Sequence, residues 1–366
     1  MHIKQLQPYF TNQDSINILK TIKSKYITEN KETIRFENKL KKITKAKYIS
    51  CFNSGSSALL TAIKILNLKK NDEIIIPNIT YIASINAPLF LNHKIKLAEI
   101  DNNLGIDFKK IDKLINNNTK VLILCHLYGY VSDIHQLKKF KKKYPKIIII
   151  EDAAEALGCK YNKIHLGTFG KMGILSFYAN KIITTGEGGA VITNNKNLYK
   201  KLQVFKNDGR IKRGNFNHPY FGLNFRFTDL QASIGNAQLS NFSKILKQKK
   251  YIFNQYYQSL KSINQIEILS HPNQLESNYW IPILKTSRKQ ELKKYLNSKK
   301  IETRDIFKPL SRQLSIKKNK LILNKNLNFL YSDKLYKICI GLPSHYLLKE
   351  SELKYVIKNI KIFFNN

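Results

Sequence analysis

Asp152 and Lys181 are the two side chains whose types, spacing and surroundings point most directly to chemistry. Asp152 follows the apolar run Ile147–Ile150, which predicts a buried parallel strand, and an acid at the carboxyl end of such a strand lies where open α/β sheets place their ligands. Lys181 comes later, after Ser176, in a segment rich in small residues. A lysine amine can join covalently to an aldehyde, and a carboxylate can keep a pyridine nitrogen protonated. A pyridoxal phosphate enzyme needs both groups.

Each of the two residues also has an ordinary structural interpretation. An acid after a strand is often a helix cap, and most lysines are solvated charges in a chain with 63 Lys and Arg residues. The functional interpretation of Asp152 and Lys181 therefore depends on the motifs around them.

Three motifs in this stretch carry a resemblance to a known family. They read E-D-A-A-E-A-L-G at 151–158, S-F-Y-A-N-K at 176–181 and G-E-G-G at 186–189. In this order they resemble the DegT-type family of nucleotide-sugar aminotransferases. The resemblance implies pyridoxal 5'-phosphate as the cofactor, with Lys181 and Asp152 as the catalytic residues. The glycine motif precedes a predicted strand instead of following one, so a dinucleotide fingerprint is rejected.

A turn with serines at the start of a predicted helix extends the resemblance. Gly55 and Ser56 lie in N-S-G-S-S-A-L-L at 53–60, and the amides, hydroxyls and positive dipole end of such a turn suit a phosphate. The family uses this segment as the cradle of the cofactor phosphate. Together with Ser176 of the lysine motif, these two residues are predicted to bind the cofactor.

Two acids near the strand end are predicted to reach the cofactor together. If Ala153 starts a helix, Asp152 and Glu155 lie on one face of it. Relatives carry Gln or His at the position of Glu155 to bond the ring hydroxyl. Glutamate is the variant in relatives that make 4-amino-4,6-dideoxy sugars such as perosamine.

Aromatic and imidazole side chains follow two further predicted strands. Tyr81 stands where the family stacks an aromatic ring on the pyridine, although a core tyrosine is the alternative. His126 and Tyr128 follow the strand Val121–Cys125 and can border the pocket, or His126 can be a purely structural histidine.

A third block, Gly222–Gly235, resembles the family's G-Y-N-Y-R-x-T-x-x-Q-A-A-I-G segment. In the family this loop crosses a dimer interface, so Asn224 and Arg226 are predicted to help bind the phosphate of the partner subunit's cofactor. The resemblance thus implies a homodimer with shared active sites. Further along, Ile301–Arg304 resembles the start of the family's E-T-R-x-x-F-x-P-L segment.

The elements needed to position these residues alternate along the chain. Strand-like runs separated by helix-like stretches predict a mostly parallel sheet with helices on its faces. The predicted fold is α/β, of pyridoxal phosphate fold type I. Residues 1–245 are predicted to form the large cofactor-binding domain with a helical N-terminal segment, and residues 246–366 a smaller α+β domain. The runs predicted as strands are 47–52, 72–77, 95–100, 121–125, 147–150, 190–193 and 279–284.

Composition limits the other classes of function. The formal charge of +38 suits a nucleic-acid partner, but the lysines are dispersed, so compositional drift is the favoured explanation and a polyanion-binding role the alternative. No apolar run approaches the roughly 18 residues of a membrane span. The dispersed cysteines Cys51, Cys125, Cys159 and Cys339 predict free thiols in a cytoplasmic protein, with no metal site.

The predicted reaction moves an amino group from L-glutamate to a nucleotide-linked 4-keto-6-deoxyhexose. A 3-keto sugar aminotransferase of the same family is the near alternative, and a regulatory or nucleic-acid-binding protein with the same fold is the alternative from another class. Related sugar dehydratases replace the lysine by histidine, so Lys181 argues against that activity.

Overall fold

A computed structural model describes residues 2–212, 214 and 216–365 of the chain. The strands are β1 (Tyr48–Phe52), β2 (Glu73–Pro77), β3 (Lys94–Ala98), β4 (Thr119–Cys125), β5 (Ile148–Asp152), β6 (Lys160–Tyr161), β7 (Ile164–His165), β8 (Met172–Ser176), β9 (Gly189–Thr193), β10 (Glu267–Ile268), β11 (Leu275–Glu276), β12 (Ile283–Lys285), β13 (Arg304–Asp305) and β14 (Cys339–Gly341). The helices are α1 (Asn12–Lys23), α2 (Lys31–Thr44), α3 (Gly55–Lys64), α4 (Ala83–Phe90), α5 (Phe108–Ile111), α6 (Ile134–Lys143), α7 (Lys196–Phe205), α8 (Asp229–Ser240), α9 (Phe242–Leu260), α10 (Lys289–Ser298), α11 (Leu314–Lys317), α12 (Leu330–Ile338) and α13 (Glu350–Asn365), with 3₁₀ turns at Asp112–Leu114 and Leu310–Arg312.

A seven-stranded sheet in the order β1-β9-β8-β5-β4-β2-β3 forms the centre of the molecule. Along the sheet, the neighbours β3, β2, β4, β5 and β8 pair in parallel. Strand β9 pairs antiparallel with both β8 and β1. Helices cover both faces of such a sheet, which is why β2, β4 and β5 contain runs of isoleucine, leucine and valine without alternation. The predicted α/β architecture with a mostly parallel sheet is confirmed.

Short polar side chains start the helices that follow these strands. Ser54 caps α3 by accepting the amide of Ser57 at 3.1 Å. At the start of α8, Thr228 and Gln231 form a reciprocal capping box. Caps of this kind satisfy amides that the first helical turn leaves without partners, and they fix where each loop ends.

A second hydrophobic core lies in the C-terminal part of the chain. The antiparallel sheet β10-β12-β14-β13 packs there with apolar side chains of α9, α10 and α13. Ile3 belongs to this core too, because the N-terminal segment pairs with Ile301. Conversely, Trp280 and Leu310 come from the C-terminal part of the chain but belong to the large core around the central sheet. The domain boundary near residue 245 stays a prediction, and the two cores exchange segments across it.

Two predicted elements differ from the structure. The strand predicted at 279–284 is confined to β12, since Tyr279 adopts a positive φ of 50°. No helix starts at Ala153, and the residues after β5 form turns up to β6. The predicted free thiols are present, and all four cysteines are buried. Among the residues described, none of the helices is both long enough and apolar enough to cross a membrane.

Candidate active site

A cavity of about 270 Å³ opens at the carboxyl edge of the central sheet. Loops after β1, β2, β4, β5 and β8 meet at this edge because those strands run in the same direction, and this is the usual ligand position in open α/β sheets. A segment from the C-terminal part closes the other side. The polar and aromatic residues of its wall are Ser54, Ser56, Thr80, Tyr81, His126, Asp152, Glu155, Ser176, Tyr178, Asn180, Lys181, Glu187, Trp280, Arg304 and Phe307.

Lys181 is held between an acid and an aromatic ring. Its Nζ donates to Glu155 Oε1 at 3.0 Å and lies 4.3 Å from the centre of the Trp280 ring. The other carboxylate oxygen of Glu155 accepts the amide of Tyr128 at 2.9 Å. Burial raises the pKa of Glu155, and the neighbouring Lys181 opposes that rise. The amine is therefore fixed at one place in the cavity wall by a carboxylate that is itself anchored.

Asp152 is the last residue of β5, and its carboxylate is oriented by two donors. Ser84 on α4 donates its hydroxyl to Oδ2 at 2.6 Å, and the amide of Ala154 donates to Oδ1 at 3.2 Å. The prediction that a helix starting at Ala153 brings Asp152 and Glu155 together is wrong. The amides of Ala156 and Cys159 donate to the carbonyls three residues before them, at 2.9 Å each, so this segment forms turns. The turn that follows nevertheless brings both acids into the cavity.

The amino end of α3 forms the opposite end of the cavity. Gly55 and Ser56 occupy its first turn, where amides have no carbonyl partner within the helix. The Ser176 hydroxyl lies close by, since its Oγ is 3.3 Å from the position of a Cβ on Gly55. Gly189 also approaches closely, and a Cβ there would lie 2.5 Å from the Gly55 amide nitrogen. The predicted phosphate-binding residues are thus brought together.

The structural alternative holds for His126, although its ring borders the cavity. Its Nε2 lies 2.9 Å from Glu151 Oε2, and its Nδ1 accepts the amide of Ser132 at 3.4 Å, so both nitrogens are engaged. Tyr128 is buried beside the wall, and its Oη accepts the amide of Phe307 at 2.8 Å. Tyr128 therefore supports the loop that closes the cavity.

Tyr81 stands at the entrance and is exposed over 55% of its surface. Its ring lies 5.5 Å from that of Phe307, and both rings line the cavity. The alternative of a core tyrosine is therefore wrong, and a ring at this place is free to stack on a planar ligand.

Two of the predicted residues lie outside the cavity of their own chain. Asn224 is exposed, and its backbone pairs with that of Asn207. Arg226 donates to Asn207 and to Asp208, each at 2.8 Å. Neither side chain reaches the cavity within one chain, so their predicted contact with a cofactor requires a second chain.

Sequence reasoning missed Ser84 and Trp280. Trp280 is the only tryptophan of the chain, and its indole donates to Asn180 O, next to Lys181, at 2.8 Å. That single tryptophan was the available signal. No local pattern marks Ser84, because its role depends on a strand 68 residues away.

The residues present fit the predicted cofactor. Free amides and hydroxyls at α3 match a phosphate, the Asp152 carboxylate can oppose a pyridinium, and the Lys181 amine matches an aldehyde carbon. Tyr81 supplies an aromatic face between these groups. All of these side chains line the same cavity.

Comparison with known proteins gives one family, two relatives and one solved structure that this chain resembles. The model of the DegT/DnrJ/EryC1/StrS aminotransferase family matches residues 9–361. GDP-perosamine synthase of Escherichia coli O157:H7 is 31% identical over 100% of this chain and 99% of the relative. A transaminase of Helicobacter pylori named for UDP-4-amino-4,6-dideoxy-N-acetyl-beta-L-altrosamine is 31% identical over 76% of this chain and 75% of its own. The solved structure of Helicobacter pylori PseC, an aminotransferase of pseudoaminic acid biosynthesis, covers 100% of both chains with a TM-score of 0.94 and 25% identity.

Proposed function

Because the chain belongs to the DegT/DnrJ/EryC1/StrS aminotransferase family, we propose that it transfers an amino group from L-glutamate to carbon 4 of a nucleotide-linked 4-keto-6-deoxyhexose. Membership in the family confirms the predicted aminotransferase class, the fold type and pyridoxal phosphate as the cofactor. The observation that carries the proposal is the cavity in which Lys181, Asp152 and the amino end of α3 converge.

When bound, pyridoxal phosphate supplies an aldehyde for the amino group and a ring that accepts electrons from the substrate carbon. The amides of Gly55 and Ser56, with the Ser176 hydroxyl, hold its phosphate. Tyr81 covers the ring at the entrance.

Asp152 keeps the pyridine nitrogen protonated. Its carboxylate is already oriented by Ser84 and by the amide of Ala154, so little reorganisation is needed at the moment of reaction. The same ionic hydrogen bond fixes the position of the ring.

With the cofactor bound, Lys181 would hold it and would also carry protons. The neutral amine would move a proton from the donor's α carbon to the cofactor in the first half-reaction, and from the cofactor to carbon 4 of the acceptor in the second. Glu155 stays within hydrogen-bond distance of the amine and keeps it beside the reacting carbon. The indole of Trp280 covers the amine from the other side, away from water.

The names of the relatives support amination at carbon 4. One is a perosamine synthase and the other is named for a 4-amino-4,6-dideoxy sugar. Glu155 stands at the position at which glutamate is typical of such relatives. Amination at carbon 3 is the alternative within the family.

Exposed apolar side chains support the proposal that two chains build each site. Phe216, Tyr220 and Phe221 are each at least 60% exposed, and all three precede Asn224 in one loop. Apolar surface of this kind is typical of an interface. In the proposed homodimer the partner chain covers this surface, and the loop carries Asn224 towards the partner's cofactor phosphate. The cytoplasmic location stays a prediction.

A panel of nucleotide-linked 3-keto and 4-keto sugars with L-glutamate tests the proposed reaction. Mass spectrometry should show one added amino group on a 4-keto sugar, together with 2-oxoglutarate. Lys181→Ala is the control, and its product should be absent. Amination of 3-keto sugars alone would overturn the carbon-4 assignment, and a panel without any amino product would overturn the acceptor class.

A further inference from the structure

Arg304 differs from every other arginine that the structure describes. Five of these arginines make an ion pair with an acid, namely Arg35, Arg210, Arg226, Arg288 and Arg312. Within the same described residues, the guanidinium of Arg304 has neither an acidic partner nor a hydrogen bond. A guanidinium presents five donors in a planar fork, and oxyanions match that geometry.

Two acids in the surroundings of Arg304 already have basic partners. Its neighbour Asp305 binds Lys289 at 2.9 Å and Lys293 at 2.6 Å. In the cavity wall, Glu155 pairs with Lys181, and no ion pair joins Glu187 to any described base. Arg304 is therefore the one described cation of the wall whose charge the protein does not neutralise.

The backbone of Arg304 is fixed although its side chain is exposed. Arg304 lies on β13 and pairs with Gly341 on β14. Further along, the amide of Phe307 donates to Tyr128 Oη at 2.8 Å, and the amide of Leu310 donates to Asn78 O at 2.7 Å. The chain thus carries an unpaired charge at a set place on the rim of the cavity.

Arg304 also borders a second space. A groove of about 420 Å³ adjoins the cavity and shares Arg304 with it. Lys293 and Lys294 line the groove, while its acid Glu302 is occupied by His2 and by the amide of Gln5. The groove is therefore positively charged, and Lys181 lines the cavity but not the groove.

We propose that Arg304 binds the diphosphate of the nucleotide-linked sugar and directs the nucleotide into this groove. The inference rests on the proposed function. Carbon 4 of the sugar must reach the amine at Lys181, and carbon 1, which carries the diphosphate, lies across the ring from carbon 4. The diphosphate thus falls towards the rim. The α-carboxylate of an amino donor is one bond from the reacting carbon and must bind deeper.

Binding of nucleoside diphosphates to the holoenzyme tests this assignment. GDP, UDP and dTDP are titrated by calorimetry into the wild type, Arg304→Ala and Arg304→Lys. For each nucleotide that binds the wild type, Arg304→Ala should raise Kd at least tenfold. Arg304→Lys should recover part of the affinity, because lysine keeps the charge without the fork. The control Arg288→Ala removes an arginine that pairs with Glu291 outside both spaces, and it should leave Kd within twofold.

The first half-reaction with L-glutamate, followed by cofactor absorbance, separates the two substrates. Arg304→Ala should leave the apparent Kd of glutamate within twofold. A loss of affinity for glutamate alone would overturn the proposal and would mean that Arg304 binds the carboxylate of the amino donor. Unchanged nucleotide affinity in a folded Arg304→Ala, checked by its melting curve, would overturn it too. A wild type that binds none of the nucleotides would instead defeat the proposed acceptor, and the Arg304 assignment with it.

Discussion

At the scale of single residues, three charged side chains of the site are each oriented by a second group. Asp152 is held by Ser84, Lys181 by Glu155, and Glu155 by the amide of Tyr128. Preorganised charges of this kind stabilise a transition state without moving, and this is usually the largest electrostatic contribution to catalysis. Asp152 provides the clearest test of that arrangement.

Asp152→Asn should cripple turnover while leaving the fold intact. The amide is almost the same size, and its oxygen can still accept the amide of Ala154. It lacks the charge that keeps the pyridine nitrogen protonated. The rate of the half-reaction with glutamate should therefore fall on the order of a hundredfold or more.

A melting curve recorded beside that rate distinguishes a catalytic acid from a structural one. A structural acid would lose about 1 kcal/mol of stability and keep its rate. Near-normal turnover in a destabilised Asp152→Asn protein would remove Asp152 from the mechanism.

At the scale of elements, helix α9 contacts the backbone of Trp280, a residue of the cavity wall, through a buried lysine. Lys249 Nζ donates to Trp280 O at 3.0 Å, and the same carbonyl accepts the Ser344 hydroxyl at 2.7 Å. Within the part of the chain that the structure describes, the amine has no acidic partner, and burial lowers its pKa to about 7. The helix thus carries a destabilising group next to the tryptophan that packs on Lys181.

Lys249→Met should stabilise the protein, and the gain should depend on pH. Below pH 7 the amine is charged in both the folded and the unfolded state, and folding bears the full cost of burying it. Between pH 7 and the ordinary value near 10.5, the unfolded chain holds a proton that the folded protein lacks, so the wild-type unfolding free energy rises with pH.

The difference in unfolding free energy between Lys249→Met and the wild type should therefore be largest below pH 7, and it should shrink by about 5 kcal/mol as the pH rises to the ordinary value near 10.5. Urea denaturation at several pH values measures it. Lys250→Met, at an exposed position on the same helix, is the matched control and should show little change. A gain independent of pH would mean that Lys249 is not buried as a charge.

At the scale of the whole molecule, the predicted phosphate ligand Asn224 lies outside the cavity of its own chain. Asn224 is exposed, and the loop before it includes Phe221, which is 99% exposed. A loop this apolar is expected to be covered by another protein surface.

Mixing two inactive variants tests whether sites are shared. Lys181→Ala loses the reactive amine and Asn224→Ala loses the predicted phosphate contact. In a shared-site dimer, a heterodimer holds one site with both lesions and one with neither. Subunit exchange of equal amounts should restore up to about a quarter of wild-type activity, because half of the random dimers are mixed and each has one intact site.

Mass spectrometry of differently tagged subunits verifies that exchange took place. If exchanged mixtures stay inactive, each site is built from one chain. Mixing Lys181→Ala with Asp152→Asn is the control, since both lesions fall in the same wall and no intact site can form unless the wall itself is shared.

The local motifs of the sequence were enough to predict the cofactor. They also predicted that Asp152, Lys181 and the amino end of α3 belong to one site. They could do so because each motif follows a strand, and parallel strands bring their carboxyl ends to one edge whatever the details of packing. The tertiary structure alone decided the partners of these groups. Ser84, Trp280 and Arg304 come from distant segments, and only packing sets their distances.

The turn after β5 shows the same division. The spacing of Asp152 and Glu155 suits a helix, but the segment after β5 forms turns in which the amides of Ala156 and Cys159 bond to carbonyls three residues before them. The spacing of the two acids does not distinguish these turns from a helix. The outward position of Asn224 is likewise invisible in the sequence pattern, because it depends on which surface the folded chain leaves exposed. Local periodicity encodes helices and strands, whereas the contacts between them form only when the chain folds into its tertiary structure.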